Sequence, residues 1–124
     1  MEASGKKEIA ISFLRLASSG HLDDAYRKVS AQFRHHNPYF AGDAESLKAG
    51  MAEAGKRFPH TTLEVQRTLA EGDLVAVHSR VSHGSDQPEI SVVHIFRFAG
   101  NQIDELWDVG MPAPPDSPNK NGMF

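Results

Sequence analysis

Ile90-Ser91-Val92-Val93-His94-Ile95-Phe96-Arg97-Phe98-Ala99-Gly100-Asn101-Gln102-Ile103-Asp104-Glu105-Leu106-Trp107-Asp108 is the stretch that decides the fold. β-Branched and aromatic residues crowd both of its halves, and Gly100-Asn101 between them is a good two-residue hairpin loop. Two antiparallel strands are therefore predicted, over Glu89–Phe98 and Gln102–Gly110. Upstream, Thr61–Leu69 and Leu74–Ser82 flank the turn-type cluster Glu71-Gly72-Asp73, which predicts a second hairpin. His83 to Pro88 is the one longer connection between the two.

The first half of the chain has the helical period instead. Ile9, Phe13 and Leu16 recur at i, i+4 and i+7 in Lys6–Ser19, with Ser4 placed to cap the start and Gly20 at the left-handed C′ position. Leu22, Tyr26 and Val29 repeat the spacing in a short second helix. Asp43 opens a third, in which Leu47, Met51, Ala54 and Phe58 share one face and Pro59 ends the run. Gly50 and Gly55 weaken that helix by about 1 kcal/mol each relative to Ala. Phe33 to Phe40 has no period and reads as an extended lining segment. Three N-terminal helices packed on a curved antiparallel sheet make an α+β domain of one unit, 1–124, with 112–124 as an extended proline-rich tail. Val75, Val77, Val81, Val92 and Val93 are more apolar strand positions than one sheet face needs, so a homodimer through the sheet face is expected.

Composition narrows the chemistry. There is no Cys, which excludes disulfides, a thiol nucleophile and thiolate-held metals. Thirteen Lys+Arg against sixteen Asp+Glu leave a net charge of −3, the wrong sign for a nucleic-acid partner. Met1–Lys7 is followed by no apolar signal core, because Ser12 and Arg15 interrupt Ile9–Leu16, and no stretch is long enough to span a membrane. A cytoplasmic protein without a membrane partner is expected. Phosphate-binding, dinucleotide and nucleophile-elbow motifs are missing, and the histidines lack the short spacings of metal ligands, so neither cofactor nor metal is expected.

His94 and Asp108 stand out as polar residues among apolar strand neighbours, where a group must be hydrogen-bonded, exposed or functional. Counting back from a two-residue Gly100-Asn101 loop puts His94 opposite Trp107 and Asp108 opposite Val93, on the other face. For the pair to share a pocket, a β-bulge must intervene. His78 occupies a core-like strand, and His36-Asn37-Pro38 can line a pocket mouth or simply start a turn. His21, His60 and His83 lie at element ends, where a histidine is usually only solvated.

Taken in order, several segments carry a resemblance. These are Arg34-His35-His36-Asn37-Pro38, Gly72-Asp73-Leu74-Val75-Ala76-Val77-His78-Ser79, His94-Ile95-Phe96-Arg97-Phe98, Glu105-Leu106-Trp107-Asp108 and the terminal Pro118 to Phe124. Over nearly its whole length the chain resembles the SnoaL-like polyketide cyclases, within the nuclear-transport-factor-2-like superfamily of cone-shaped α+β half-barrels. The resemblance implies ring closure by intramolecular aldol condensation without metal, Schiff base or cofactor. It also implies that His94 and Asp108 both reach one cavity, with Asp108 as acid/base, and hence a bulge or kink near Leu106.

Such chemistry needs a base tuned to the working pH and a donor for the enolate oxygen. Asp108 would serve as the first, and His94 or His78 as the second. His36, Asn37, His78, Trp107, Phe96 and Tyr39 would bind a small hydrophobic or polyketide-like substrate, and cyclisation, isomerisation or lyase reactions all fit. The alternatives are a non-catalytic binder of a small hydrophobic ligand and an epoxide hydrolase using Arg80 or Arg97 between Asp104 and Asp108.

Overall fold

The computed structural model describes residues 2–124. Its elements run α1 Ala3–Ser18, α2 Leu22–Tyr26, β1 Val29–His35, α3 Ala44–Arg57, β2 Thr62–Glu71, β3 Leu74–Ser82, β4 Ile90–Ala99 and β5 Gln102–Pro112. The strands form one curved, unclosed sheet in the order β1-β5-β4-β3-β2. β2 to β5 are the expected antiparallel meander. β1 is an addition: it pairs in parallel with β5 along the sheet edge. It covers the end of the predicted second helix and the start of the lining segment, so α2 stops at Tyr26. Its alternation of half-buried and exposed residues is too irregular for a strand pattern to be visible locally; the free edge of β5 recruits it.

α1 starts earlier than its period suggests, and Ser4 lies inside it; Glu2 is the N-cap residue and makes no side-chain cap bond. Its buried stripe is Ala10, Phe13 and Leu14, with Ala17 partly buried beside it, so the helix is turned slightly from the Ile9–Leu16 line. Ala10 has no side chain beyond Cβ, which lets the helix approach the sheet closely. At the other end Gly20 adopts φ +86°, the Gly20 N–H donates to the Ala17 carbonyl and the His21 N–H to that of Leu16. Both bonds of a Schellman cap are thus present. α3 begins at the expected cap: Asp43 accepts from the Ser46 N–H at 3.1 Å.

The core lies between α1 and the concave sheet face. Phe13 meets Phe96 edge-on at 5.9 Å and Tyr26 at 5.4 Å, and Tyr26 in turn meets Phe33 at 6.3 Å. Val75, Val77, Ile103 and Leu106 complete it. Burying each of the larger side chains is worth about 1.5–3 kcal/mol. Gly50, which only weakened a helix in the sequence, has a packing role: a Cβ there would lie 2.3 Å from the Phe40 ring. Among the described residues no helix is long and apolar enough to cross a membrane.

Candidate active site

The hairpin of β4 and β5 carries the departure from simple alternation. Ala99 pairs with Gln102 and Phe98 with Ile103, as the Gly100-Asn101 loop requires, and Gly100 takes φ +61°. The next pair is Arg97 with Glu105. Asp104 is therefore the extra residue of a β-bulge, two positions before Leu106, and its Oδ1 accepts from the Ser30 hydroxyl of β1 at 2.7 Å. Beyond the bulge the register has moved by one residue. His94 now pairs with Asp108 and Phe96 with Leu106.

That shift brings His94 and Asp108 onto the same face. His94 also pairs with the fully buried Val77 of β3, so this is the face that the helices cover. His94 Nδ1 is shut off from solvent and has no hydrogen-bond partner, although the ring as a whole is only half-buried. Burial drives the ring's pKa from 6.5 down to about 4, against the opposing pull of the Asp108 charge. At neutral pH His94 is an uncharged imidazole. Nearby, Ser79 is fully buried on the same face, and its Oγ is also unpartnered.

His94 borders a cavity of about 160 Å³ between α1, α3 and the open end of the sheet. Leu14, Ala17, Met51, Ala54 and Leu63 make it largely apolar, and Ser18, Thr61 and His83 join His94 as polar lining. Asp108 stands beside His94 but is not part of this wall. A larger hollow of about 540 Å³ is lined only by α1 and the turn after it, and none of its lining residues is buried. It brings no chemistry together. Among the described residues no group of three His, Asp or Glu side chains is arranged to hold a metal ion.

The other residues singled out in the sequence divide between the two faces. Asn37 comes to the pair: its Nδ2 donates to Asp108 Oδ2 at 3.1 Å. The amide is itself held, because Asn37 Oδ1 accepts from the Tyr39 N–H at 3.0 Å and the Asn37 N–H donates to His35 Nδ1 at 3.1 Å. His35 Nε2 donates to the Ala41 carbonyl at 2.6 Å, since a carbonyl can only accept. Phe96 is fully buried between Phe13 and His94, a core residue more than a lining one. Tyr39 is 86% exposed and lines nothing.

His78, His36 and Trp107 do not converge on the cavity. His78 pairs with Val93, one residue out of phase with the Val77–His94 pair, so it faces the outer side of the sheet. Both its nitrogens are occupied there: Arg67 can only donate, so Nδ1 accepts and Nε2 donates to Ser91 Oγ at 2.7 Å. Trp107 pairs with Ile95, also outward, and stacks on His36 at 5.0 Å with Arg97 above it at 5.3 Å. His36 Nε2 bonds Glu105 at 2.6 Å, and Arg34 donates to the same carboxylate at 2.8 Å. Burial alone would push Glu105 upward, but the His36 bond and the Arg34 charge hold it below the usual carboxylate range. This cluster ties β1 to β5 through buried Glu105; it is structural. Arg80 is engaged by Glu89 at 2.6 and 2.7 Å, and both it and Arg97 pair on the outer face, so no Asp–Arg–Asp set forms around Asp108.

Sequence reasoning passed over His83. A histidine at a strand end carries no local signal; the β2–β3 register sets it beside Thr61, and the end of α3 sets Phe58 on its ring at 4.5 Å, at the cavity.

Three helices on a curved, unclosed five-stranded sheet make an α+β domain of the nuclear-transport-factor-2-like kind. The chain belongs to the SnoaL-like domain family, whose model matches residues 10–106. That match includes His94 and stops two residues short of Asp108, whose place follows from the strand register. Among solved structures it is similar to AclR, a candidate hydroxylase from Streptomyces galilaeus, with a TM-score of 0.77 and 20% identity over 89% of this chain and 91% of that one. A candidate polyketide cyclase from Bacillus cereus also has a TM-score of 0.77 at 20% identity, over 88% of this chain and 76% of that one. A SnoaL-like protein of unknown function from Burkholderia thailandensis has a TM-score of 0.75 at 17% identity, over 90% and 98%. None of the curated proteins compared with the chain matches it in sequence.

Proposed function

We propose that this protein is a SnoaL-like small-molecule enzyme that does cofactor-free acid/base chemistry, of aldol-cyclisation, isomerase or lyase type. The observation that carries this reading is the pairing of His94 with Asp108 beside an apolar cavity. Asp108 takes a proton α to a substrate carbonyl, and the electron pair moves onto the carbonyl oxygen. His94, uncharged at neutral pH, donates a hydrogen bond to that oxygen without surrendering its proton. Asn37 keeps one carboxylate oxygen occupied and leaves the other for the proton. The candidate cyclase and hydroxylase among the structural neighbours agree with a small-molecule substrate.

One observation favours a second reading, a non-catalytic binder of a small hydrophobic ligand: Asp108 is bonded to Asn37 and lies off the cavity wall. The two separate in one experiment. Small molecules that co-purify with the protein are identified by mass spectrometry and offered back as substrates. The enzyme reading expects turnover that Asp108→Asn lowers by orders of magnitude while the protein stays folded. A fully active Asp108→Asn variant, or a ligand recovered unchanged, contradicts it.

The same reading includes a homodimer through the outer sheet face. Leu69, Val109 and Met111 are each more than 60% exposed and share that face by register.

A further inference from the structure

We infer that His83 is a second ligand-binding group of the cavity, and that the ligand is a compact, single-ring-sized molecule whose hydroxyl donates to His83 Nε2. This deepens the reading of the cavity as the ligand site and rests on it. The inference starts from a chain of hydrogen bonds with only one consistent direction. The Thr61 hydroxyl donates its single proton to the Phe58 carbonyl at 2.8 Å, because a carbonyl can only accept. The 2.8 Å contact between Thr61 Oγ1 and His83 Nδ1 must then be donated by the ring. His83 Nδ1 therefore carries a proton in either charge state. In the neutral ring Nε2 is then a bare acceptor.

The ring that presents this acceptor is held in place. Phe58 stacks on it at 4.5 Å with the planes 24° apart, and Thr61 fixes its rotation. His83 and Thr61 both line the cavity, and His94 lines it too. Apart from Ser18, whose hydroxyl donates to the Arg15 carbonyl of its own helix, the remaining wall is apolar. A cavity of about 160 Å³ is close in size to an engineered apolar cavity of about 150 Å³ in another protein that takes up benzene. It is below the range of about 300–1,000 Å³ usual for drug-sized ligands. An apolar body of one ring with one hydroxyl fills both requirements.

The test uses phenol and toluene, two probes of one size that differ in a hydroxyl, and follows the histidine ring nitrogens by two-dimensional ¹⁵N NMR. Phenol is expected to bind at least tenfold more tightly than toluene and to move the His83 Nε2 resonance. In His83→Gln the preference should shrink at least threefold while toluene binds as before. Thr61→Val, which frees Nδ1 and lets the proton redistribute, should lower phenol affinity and leave toluene affinity unchanged, with the ring's tautomer change visible in the same spectra. Equal binding of both probes with an unmoved His83 resonance overturns the role of His83 and leaves the cavity reading intact. Failure of both probes to bind overturns the two together.

Discussion

His94 and Asp108 face each other across β4 and β5 because Asp104 is left unpaired between Ile103 and Glu105. One inserted residue decides whether the carboxylate joins the imidazole under the helices or points to the other side of the sheet. The bulge is supported from the neighbouring strand, where the Ser30 hydroxyl bonds the Asp104 carboxylate.

Ser30→Ala should cost about 1 kcal/mol of stability by removing that bond from a largely buried site. Urea unfolding measures it. A loss within experimental error would mean that the bulge is held by strand register alone.

The depressed pKa of His94 makes a signed prediction for stability. The folded ring resists protonation until about pH 4, whereas the unfolded ring takes a proton near 6.5. Between those values the unfolded state binds more protons, so stability falls as pH falls from 6.5 to 4. His94→Leu should flatten this part of the profile. Glu105, whose folded pKa is lowered, adds a separate loss that begins below about its ordinary value of 4.5 and persists in that variant.

Gly55→Ala and Gly50→Ala should differ. Both sit in α3, and the alanine gain in helix propensity is about 0.5–1 kcal/mol. A Cβ at position 55 meets nothing within 4 Å, whereas at position 50 it collides with the Phe40 ring. Thermal unfolding should show Gly55→Ala more stable than the parent and Gly50→Ala less stable than Gly55→Ala.

The outer sheet face gives the next expectation. If Val109 and Met111 are covered by a second copy, replacing both with Lys should convert a dimer into a monomer in sedimentation equilibrium without loss of the fold. An unchanged mass for the double variant would remove this face from the interface.

Much of the architecture was legible because it rests on local signals. Asp43, Gly20 and Gly100-Asn101 each act through the backbone of their immediate neighbours, and each does in the structure what its chemistry requires. β1 was not legible, since its partner is 70 or more residues away at Ile103 to Leu106 and its own residues alternate poorly. Period-two counting from the hairpin loop separated His94 from Asp108, and family resemblance pointed to the bulge that reunites them. The same counting set Trp107 on the face of His94, and the bulge that brings Asp108 there turns Trp107 outward; His78 was grouped with the cavity by residue type, and its pairing with Val93 sets it outward as well. His83 illustrates the opposite limit. Its relation to Thr61 continues the β2–β3 register past the Thr62–Ser82 pair, but its place at the cavity depends on Phe58 at the end of α3, which the strand pattern does not show.

The central claim is that His94 and Asp108 act as one coupled pair, and side-chain ¹⁵N NMR titration of His94 tests it most directly. In the parent protein His94 should titrate near pH 4, and in Asp108→Asn lower still, because the Asp108 charge is what offsets part of the burial. A titration near 6.5, or one unchanged by Asp108→Asn, would contradict the claim.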